Sequence, residues 1–491
     1  MSIFPSLISW RNILVVFGAN FVALAGICGQ VPGPMNTPNI ALSGHDRVYA
    51  AEQFSNTVSV IDPSRNALLG VIRLGDPQPM NLSPLYRGQV LVHGLGFSPD
   101  HKTLVVVAIA SNSVSFIDTA SNAVKHTTYL GRAPHEAFYT QDGREVWVTV
   151  RGEDYVSVID AESFSEVRRI KVPNGPGMQI FSPDGQYAYV CSSFNPETVV
   201  IAVARYEVIG HVKQVSPFCP NIAATPDGTQ VWMTLKDTGK VQVFDARPPF
   251  TTLKVLDTGP ITNHVNFVSD VSTVAYVTVG GLNVVKIIRT SDFTTEATIP
   301  VGDLPHGLWP SGDGKRLYVG LENADAVSVI DTVSRTVIAT VPIGQAPQAL
   351  VYVPNAVPEG DGTGNLASLS TAGQAAHLAM RAVGKTKSLK QYETSVALFD
   401  QGLTQVLEAS VTGLTPDTPY VLALASDGDV GAMQPLATFR TNPSGAAIVN
   451  AVGPIRQVVG LNAEAPSRHL VITTSNTSGS GTVVQSQVRE R

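Results

Sequence analysis

A closed ring of short β-strands, followed by a second β-rich domain, is the all-β architecture that this 491-residue sequence predicts. Three observations predict it: a repeat of about 42 residues, a turn signal that returns once in every repeat, and a composition rich in turn formers. Gly contributes 42 residues and Pro 33, while only 15% of the chain is charged, which excludes coiled coils and long helical bundles. A hydrophobic share of 44% supplies a large core and excludes bulk disorder. Lys plus Arg total 33 against 39 Asp plus Glu, a formal net charge of -6. Phosphate binding needs a basic excess, so nucleic acid is excluded as the main partner.

The repeat is visible in HDRVYAAEQFSNTVSVIDPSRNALLGVIRLGD at 45–76 and KRLYVGLENADAVSVIDTVSRTVIATVPIGQ at 315–345, with related units from Arg144 and Thr229. Each unit alternates apolar and polar residues over four short runs, which is the pattern of half-buried strands. The last run ends in a turn: FSPDH at 97–101, TQDG at 140–143, FSPDG at 181–185, TPDG at 225–228 and SGDG at 311–314. A four-stranded unit of this kind cannot bury its own faces, so the units must close into a β-propeller. Strands leading into the turn start near His93, His135, Gly177, Pro220, His264, His306 and Gln348, at spacings of 42 to 44 residues. Seven starts predict seven blades. The first repeat begins with its second strand, and the last stops after QALVYVP at 348–354. The C-terminal segment must therefore supply the first blade's inner strand, which removes an open sheet edge.

These units resemble the YVTN-type propeller repeat, whose S-P-D-G, Y-V-T-N and V-S-V-I-D elements stand here in degenerate form over residues 45–354. The resemblance implies the propeller fold. It implies little about function, because the fold hosts binding proteins, lactonases and redox enzymes.

Residues 1–29 place Arg11 ahead of a largely apolar run from Ile13 to Cys28, with Ala23-Leu24-Ala25 as a cleavage option. This is the layout of a secretory signal, with an uncleaved anchor as the alternative. Residues 30–44 form an N-terminal lead and 45–354 the propeller. PEGDGTGNLASLS marks a linker at 355–368, and 369–491 reads as a β-sandwich-like domain with a flexible tail. The expected location is the periplasm or the outside of the cell, with no transmembrane segment in the mature chain.

Four of the ten histidines share one register: His93, His135, His264 and His306. That register is the start of the inner strand, at the mouth of the central channel. Imidazole is the usual ligand of copper and zinc, and the ring positions hold no Asp or Glu, which speaks against calcium or magnesium. The alternative is structural, with each histidine a hydrogen-bonding residue in the strand-leading turn. An insertion before His93, DPQPMNLSPLYRGQV, should project over the same face and brings Tyr86 and Arg87 as ligand-binding candidates. Glu136 and Arg151, with Glu153, lie on the mouth side of one blade and could bind a polar ligand; a solvated face is the plainer reading. Asp62, Asp118, Asp160, Asp245 and Asp331 close the VID strands and read as turn caps. Cys191 and Cys219 fall at one face of neighbouring blades, either as a disulfide or as two buried thiols.

No G-x-S-x-G, phosphate loop, H-E-x-x-H or CxxCH motif occurs, so the sequence offers no ground for a serine- or heme-dependent mechanism. The leading expectation is an exported binding or scaffold protein, with a protein or small-molecule ligand at the channel-mouth face. The alternatives are a copper- or zinc-dependent oxidoreductase at the four histidines, or a lactonase-type hydrolase.

Overall fold

The structure, a computed structural model, describes residues 41–75, 90–269, 272–370, 375–384, 392–401, 404–426, 429–453, 468–475 and 481–488. Seven four-stranded antiparallel sheets form the propeller. The second blade, for example, runs from its inner strand Val92–Phe97 through Thr103–Ala108 and Ser113–Asp118 to the outer strand Val124–Tyr129. Burial falls from axis to rim: every residue of Val92–Phe97 is buried, whereas Val124–Tyr129 is mostly exposed. The β-branched VSVID-type runs form the third strands, packed between neighbouring blades.

Closure occurs as the repeat arithmetic requires. Pro347–Val353 pairs with Arg47–Glu52, with Val351 opposite Tyr49, and becomes the inner strand of the first blade. Asp46 fastens the joint, accepting from the Tyr352 hydroxyl at 2.5 Å and from the Asn355 N–H at 2.7 Å.

Two polar devices recur from blade to blade. The turn after the inner strand is held by Asp100, Asp142, Asp184, Asp227 and Asp313, each accepting from the Ser or Thr two residues before it. The turn between second and third strands carries a left-handed Asn or Asp: Asn56, Asn112, Asn283 and Asp325. Their side-chain oxygens accept the N–H of Leu91, Ala133, Leu304 and Ala346 at the start of the next inner strand. Each blade thus positions the head of the next. Asp62, Asp118, Asp160, Asp245 and Asp331 accept turn N–H groups, which is capping work.

The C-terminal strands form one eight-stranded antiparallel sheet, from Asp429–Arg440 at one edge to Ala447–Gly453 at the other. It curls around a single core that includes Met380, Val396, Leu407, Leu422 and Leu470, so its two halves face each other as the layers of a sandwich do. The 355–368 segment is laid down firmly: the Asp361 carbonyl accepts from Arg47, those of Gly362 and Gly364 from Asn122, and Ala367 bridges to Val71. Among the described residues no helix is long and apolar enough to cross a membrane. Residues 1–40, with the expected signal, lie outside the described residues.

Candidate functional site

The histidine register is built by an irregularity of the inner strands. Their pairing with the second strand skips at Val92/Leu95, Pro134/Glu136, Pro176/Met178, Thr262/Val265 and Pro305/Leu308. A bulge leaves a residue unpaired and re-aims its side chain. The residues so released include His93, His135, Gly177, His264 and His306. Just upstream of the four histidines a non-glycine residue is left-handed, with φ of 53° at Leu91, 49° at Ala133, 56° at Ile261 and 52° at Leu304.

The four histidines form two pairs on neighbouring blades. Ring centroids are 4.2 Å apart for His93 and His135, and 4.8 Å for His264 and His306. Burial holds His93, His135 and His264 well below the ordinary imidazole range, and neighbouring positive charges add to it. His306 is pushed down to about 3, chiefly by burial and then by Lys236. All four are neutral at neutral pH. His306 Nδ1 sits 2.8 Å from the Gln348 carbonyl, which fixes its proton there and leaves Nε2 as the donor atom. Nδ1 of His93 is buried with no hydrogen-bond partner among the described residues, and the buried His135 ring has the Gly177 backbone as a polar neighbour.

Glu136 departs from the solvated-face reading. It is 2% exposed, and its Oε1 accepts the Leu95 N–H of the neighbouring blade at 3.0 Å. Burial pushes its carboxyl up to about 8. The bulge at Pro134/Glu136 breaks the strict alternation of the strand, which carries this carboxylate inward beside His135. Donor atoms of His93, His135 and Glu136 lie within 4.8 Å of one another, the group of three or more such donors found among the described residues. An acidic ligand is therefore present, although the ring register itself has none. Glu136, Met178, Asn221, His264 and Trp309 line an axial cavity with about 20 Å³ of room for water.

Above this ring, Arg151 lies 5.6 Å from the Phe194 ring centroid and 5.4 Å from that of Phe218, and Lys236 lies 5.9 Å from the latter. The Arg151 Nε is buried without a partner, and among the described residues neither cation forms a close ion pair, although Lys236 lies within the fields of Asp237 and Glu408. Glu153 pairs with Arg132 instead, at 3.2 Å. The sequence reading missed Lys236, Phe194 and Phe218, although the repeat held a signal for the first. The residue just past the second strand is Arg151 in the third blade, Lys236 in the fifth and Glu322 in the seventh.

The C-terminal sheet covers the seventh-blade side of the same face. Asn323 donates to the Ser395 hydroxyl at 3.1 Å, and His377 meets Asp325 at 3.3 Å. Glu408, from the strand Thr404–Val411, packs against Glu322; burial, and then the Glu322 charge, push its carboxyl well above the usual range. Tyr86 and Arg87 lie outside the described residues. Cys191 and Cys219 form a disulfide with Cα atoms 6.1 Å apart, away from the histidines on the fourth-to-fifth blade seam.

Comparison with known proteins adds a partial family match. Residues 89–261, about a third of the chain, match the Cytochrome D1 heme domain. A curated relative, Protein NirF of Stutzerimonas stutzeri, is 27% identical over 127 residues, which is 26% of this chain and 31% of that protein. The match thus spans about a third of the relative's length. Among solved structures, the Kuenenia stuttgartiensis hydrazine synthase superposes with a TM-score of 0.50 at 22% identity, over 56% of this chain and 93% of that one. A functionally unknown protein of Desulfotomaculum acetoxidans gives 0.52 at 14%, over 62% and 98%. At such identities the structures share the fold alone. The resemblance read from the sequence is met as a seven-bladed propeller, and the family model that matches part of the chain is the Cytochrome D1 heme domain.

Proposed function

We propose that this chain is an exported binding protein that takes an anionic, heme-type ligand across the mouth of its propeller. The observation that carries the reading is the pair of unpartnered cations, Arg151 and Lys236, set on the Phe218 ring beside four neutral histidines. A half-buried guanidinium without a counter-charge recovers its lost hydration from a carboxylate, which it can bind in two places at once. The stretch matching the Cytochrome D1 heme domain contains His93, His135, Arg151, Phe194, Phe218 and Lys236.

The residues fit such a ligand on one condition. An axial cavity of about 20 Å³ admits water and not a macrocycle, so the ring must lie over the rim of the third to fifth blades. There Arg151 and Lys236 would hold its carboxylates, and Phe194 and Phe218 would offer apolar faces. Bound iron would supply redox or small-ligand chemistry; the chain's own part is to bind, orient and exclude water. The sequence carries no CxxCH motif for thioether attachment, so the proposed mode is non-covalent. Export is supported by the signal-like N-terminus and by the disulfide, which suits an oxidising compartment.

Titration of the purified chain with ferric heme tests the reading. Saturation at one equivalent, with a displaced Soret band, is expected. Arg151→Ala with Lys236→Ala should weaken binding by about tenfold or more, the worth of a charged hydrogen bond. A Soret band identical to that of free heme at every ratio would refute the proposal. The metal-dependent oxidoreductase reading retains one specific observation in its favour, the donor set of His93, His135 and Glu136.

A further inference from the structure

We infer that His93, His135 and Glu136 form a binding site for a bare divalent first-row cation, zinc or ferrous iron, distinct from the heme-type ligand on the rim. His93 and Glu136 each lack something that such an ion supplies, and His135 stands beside them. His93 buries an Nδ1 with no hydrogen-bond partner among the described residues, His135 buries its ring with the Gly177 backbone as a polar neighbour, and neutral imidazole nitrogens are good donors to zinc and iron. Glu136 buries a carboxyl whose polar contacts are the backbone N–H groups of Leu95 and Ala137, with no cation beside it. A buried carboxylate without a counter-charge must carry a proton or gain a positive partner. One ion would satisfy both and take His135 as a third ligand.

The geometry is close to that required. The donor atoms lie within 4.8 Å of one another. Bonds of about 2.0–2.2 Å to one tetrahedral ion set donors roughly 3.4 Å apart, so a shift of about 1 Å brings them into place. Glu136 also lines the axial cavity, whose 20 Å³ or so exceeds the room one water needs. The result is two imidazoles and one carboxylate, with the cavity beside the carboxylate. Closed structural zinc sites use four protein ligands, whereas three ligands and an open position belong to catalytic zinc and to non-heme ferrous sites. With nitrogen supplying two of the three ligands, calcium and magnesium are disfavoured. Arg151 and Lys236 place positive charge near His93, against which a bound cation must compete.

The test uses the purified chain stripped with EDTA, without heme, so its outcome is independent of the heme-type reading. It is titrated with zinc, with ferrous iron under anaerobic conditions, and with cobalt(II) as an optical probe. One ion per chain is expected, with cobalt giving the visible bands of four or five coordination. Glu136→Gln, which keeps the shape of the neutral acid, and His135→Ala should each abolish stoichiometric binding with the circular dichroism unchanged. His264→Ala should leave it intact. Absence of binding by the parent chain, retention in Glu136→Gln, or equal loss in His264→Ala would each overturn the inference. The last result would return the ion to the four-histidine ring.

Discussion

The phenyl ring of Phe54, in a propeller turn at the channel mouth, packs against Phe399 of the C-terminal sheet with centroids 4.5 Å apart. Ala346 and Ala397 complete that cluster, while Ile261 and Leu304 meet Ala446 in a second one nearby. The C-terminal sheet is thus seated on the face that carries the histidines. It leaves the rim of the third to fifth blades, with Arg151 and Lys236, as the approach for a ligand.

Removing the sheet should therefore damage the propeller. Truncation after Ser368 would expose Phe54, Ile261, Leu304 and Ala346 and leave Asn323 and Asp325 without partners across the joint. Trp147, Trp232 and Trp309 lie in the propeller, Trp10 precedes it and none of the four tryptophans lies in the C-terminal domain, so tryptophan fluorescence reports the propeller and not the sheet. The urea midpoint of the truncated chain should fall below that of the full chain, and Phe399→Ala should lower stability by about 3 kcal/mol or more. Equal midpoints would mean that the sheet is merely appended.

The propeller was legible because its information is local and repeated. Seven strand heads fall at spacings of 42 to 44 residues, and a chain that begins on a second strand needs its first strand from the other end. What escaped depends on bulges and on contacts between distant segments. Period-two alternation gave no reason to turn both His135 and Glu136 inward, and only the register skip does so. Lys236 was missed although it occupies the repeat position of Arg151. The Gly-rich 355–368 segment reads as a loose tether, yet Arg47 and Asn122, both far away in sequence, hold it down.

The closing strand supplies a second test. Val351 is fully buried and sits opposite Tyr49 in the sheet that joins the two ends of the propeller. Val351→Asp would bury an unpaired carboxylate there, at a cost of at least about 3 kcal/mol. Poor solubility or a sharply lowered thermal midpoint is expected; an unchanged thermal midpoint would contradict the closure.

Cys191 and Cys219 are 28 residues apart in sequence. On the chain-entropy account, a crosslink over a loop of that size stabilises by about 3–4 kcal/mol. Replacing both with Ala should lower the urea midpoint accordingly; because Cys219 directly follows Phe218, it should also loosen the Phe218 edge of the ligand site. Thiol titration of the denatured, unreduced chain should detect neither cysteine.

Acid and alkali should each destabilise the ligand-free, metal-free chain, for opposite reasons. The four mouth histidines are held low chiefly by burial. Below about pH 6.5 an unfolded histidine takes up a proton that the native one refuses, until the folded value is reached, which for His306 is about 3. Across that window stability rises with pH, by about 1.4 kcal/mol per unit for each histidine, and above it the histidines add no slope. The buried carboxyls act the other way. Glu52 is pushed up to about 7 and Glu136 up to about 8, so above about pH 4.5 the native chain retains protons that the unfolded chain has lost. Their effect is a fall in stability with rising pH that ends once the folded values are passed. The two sets oppose each other between about pH 4.5 and 6.5; below that range the histidines act without these carboxyls, and above it the carboxyls act without the histidines. Urea midpoints at about pH 4, 6 and 8 should therefore be highest at the middle value. Glu136→Gln, which cannot ionise, should reduce the loss between about pH 6 and 8 and, since the opposing slope of this carboxyl begins near pH 4.5, steepen the gain between about pH 4 and 6. A midpoint that climbs steadily to pH 8, or an alkaline loss unchanged in Glu136→Gln, would show that this carboxyl is not buried beside His135 as the structure has it.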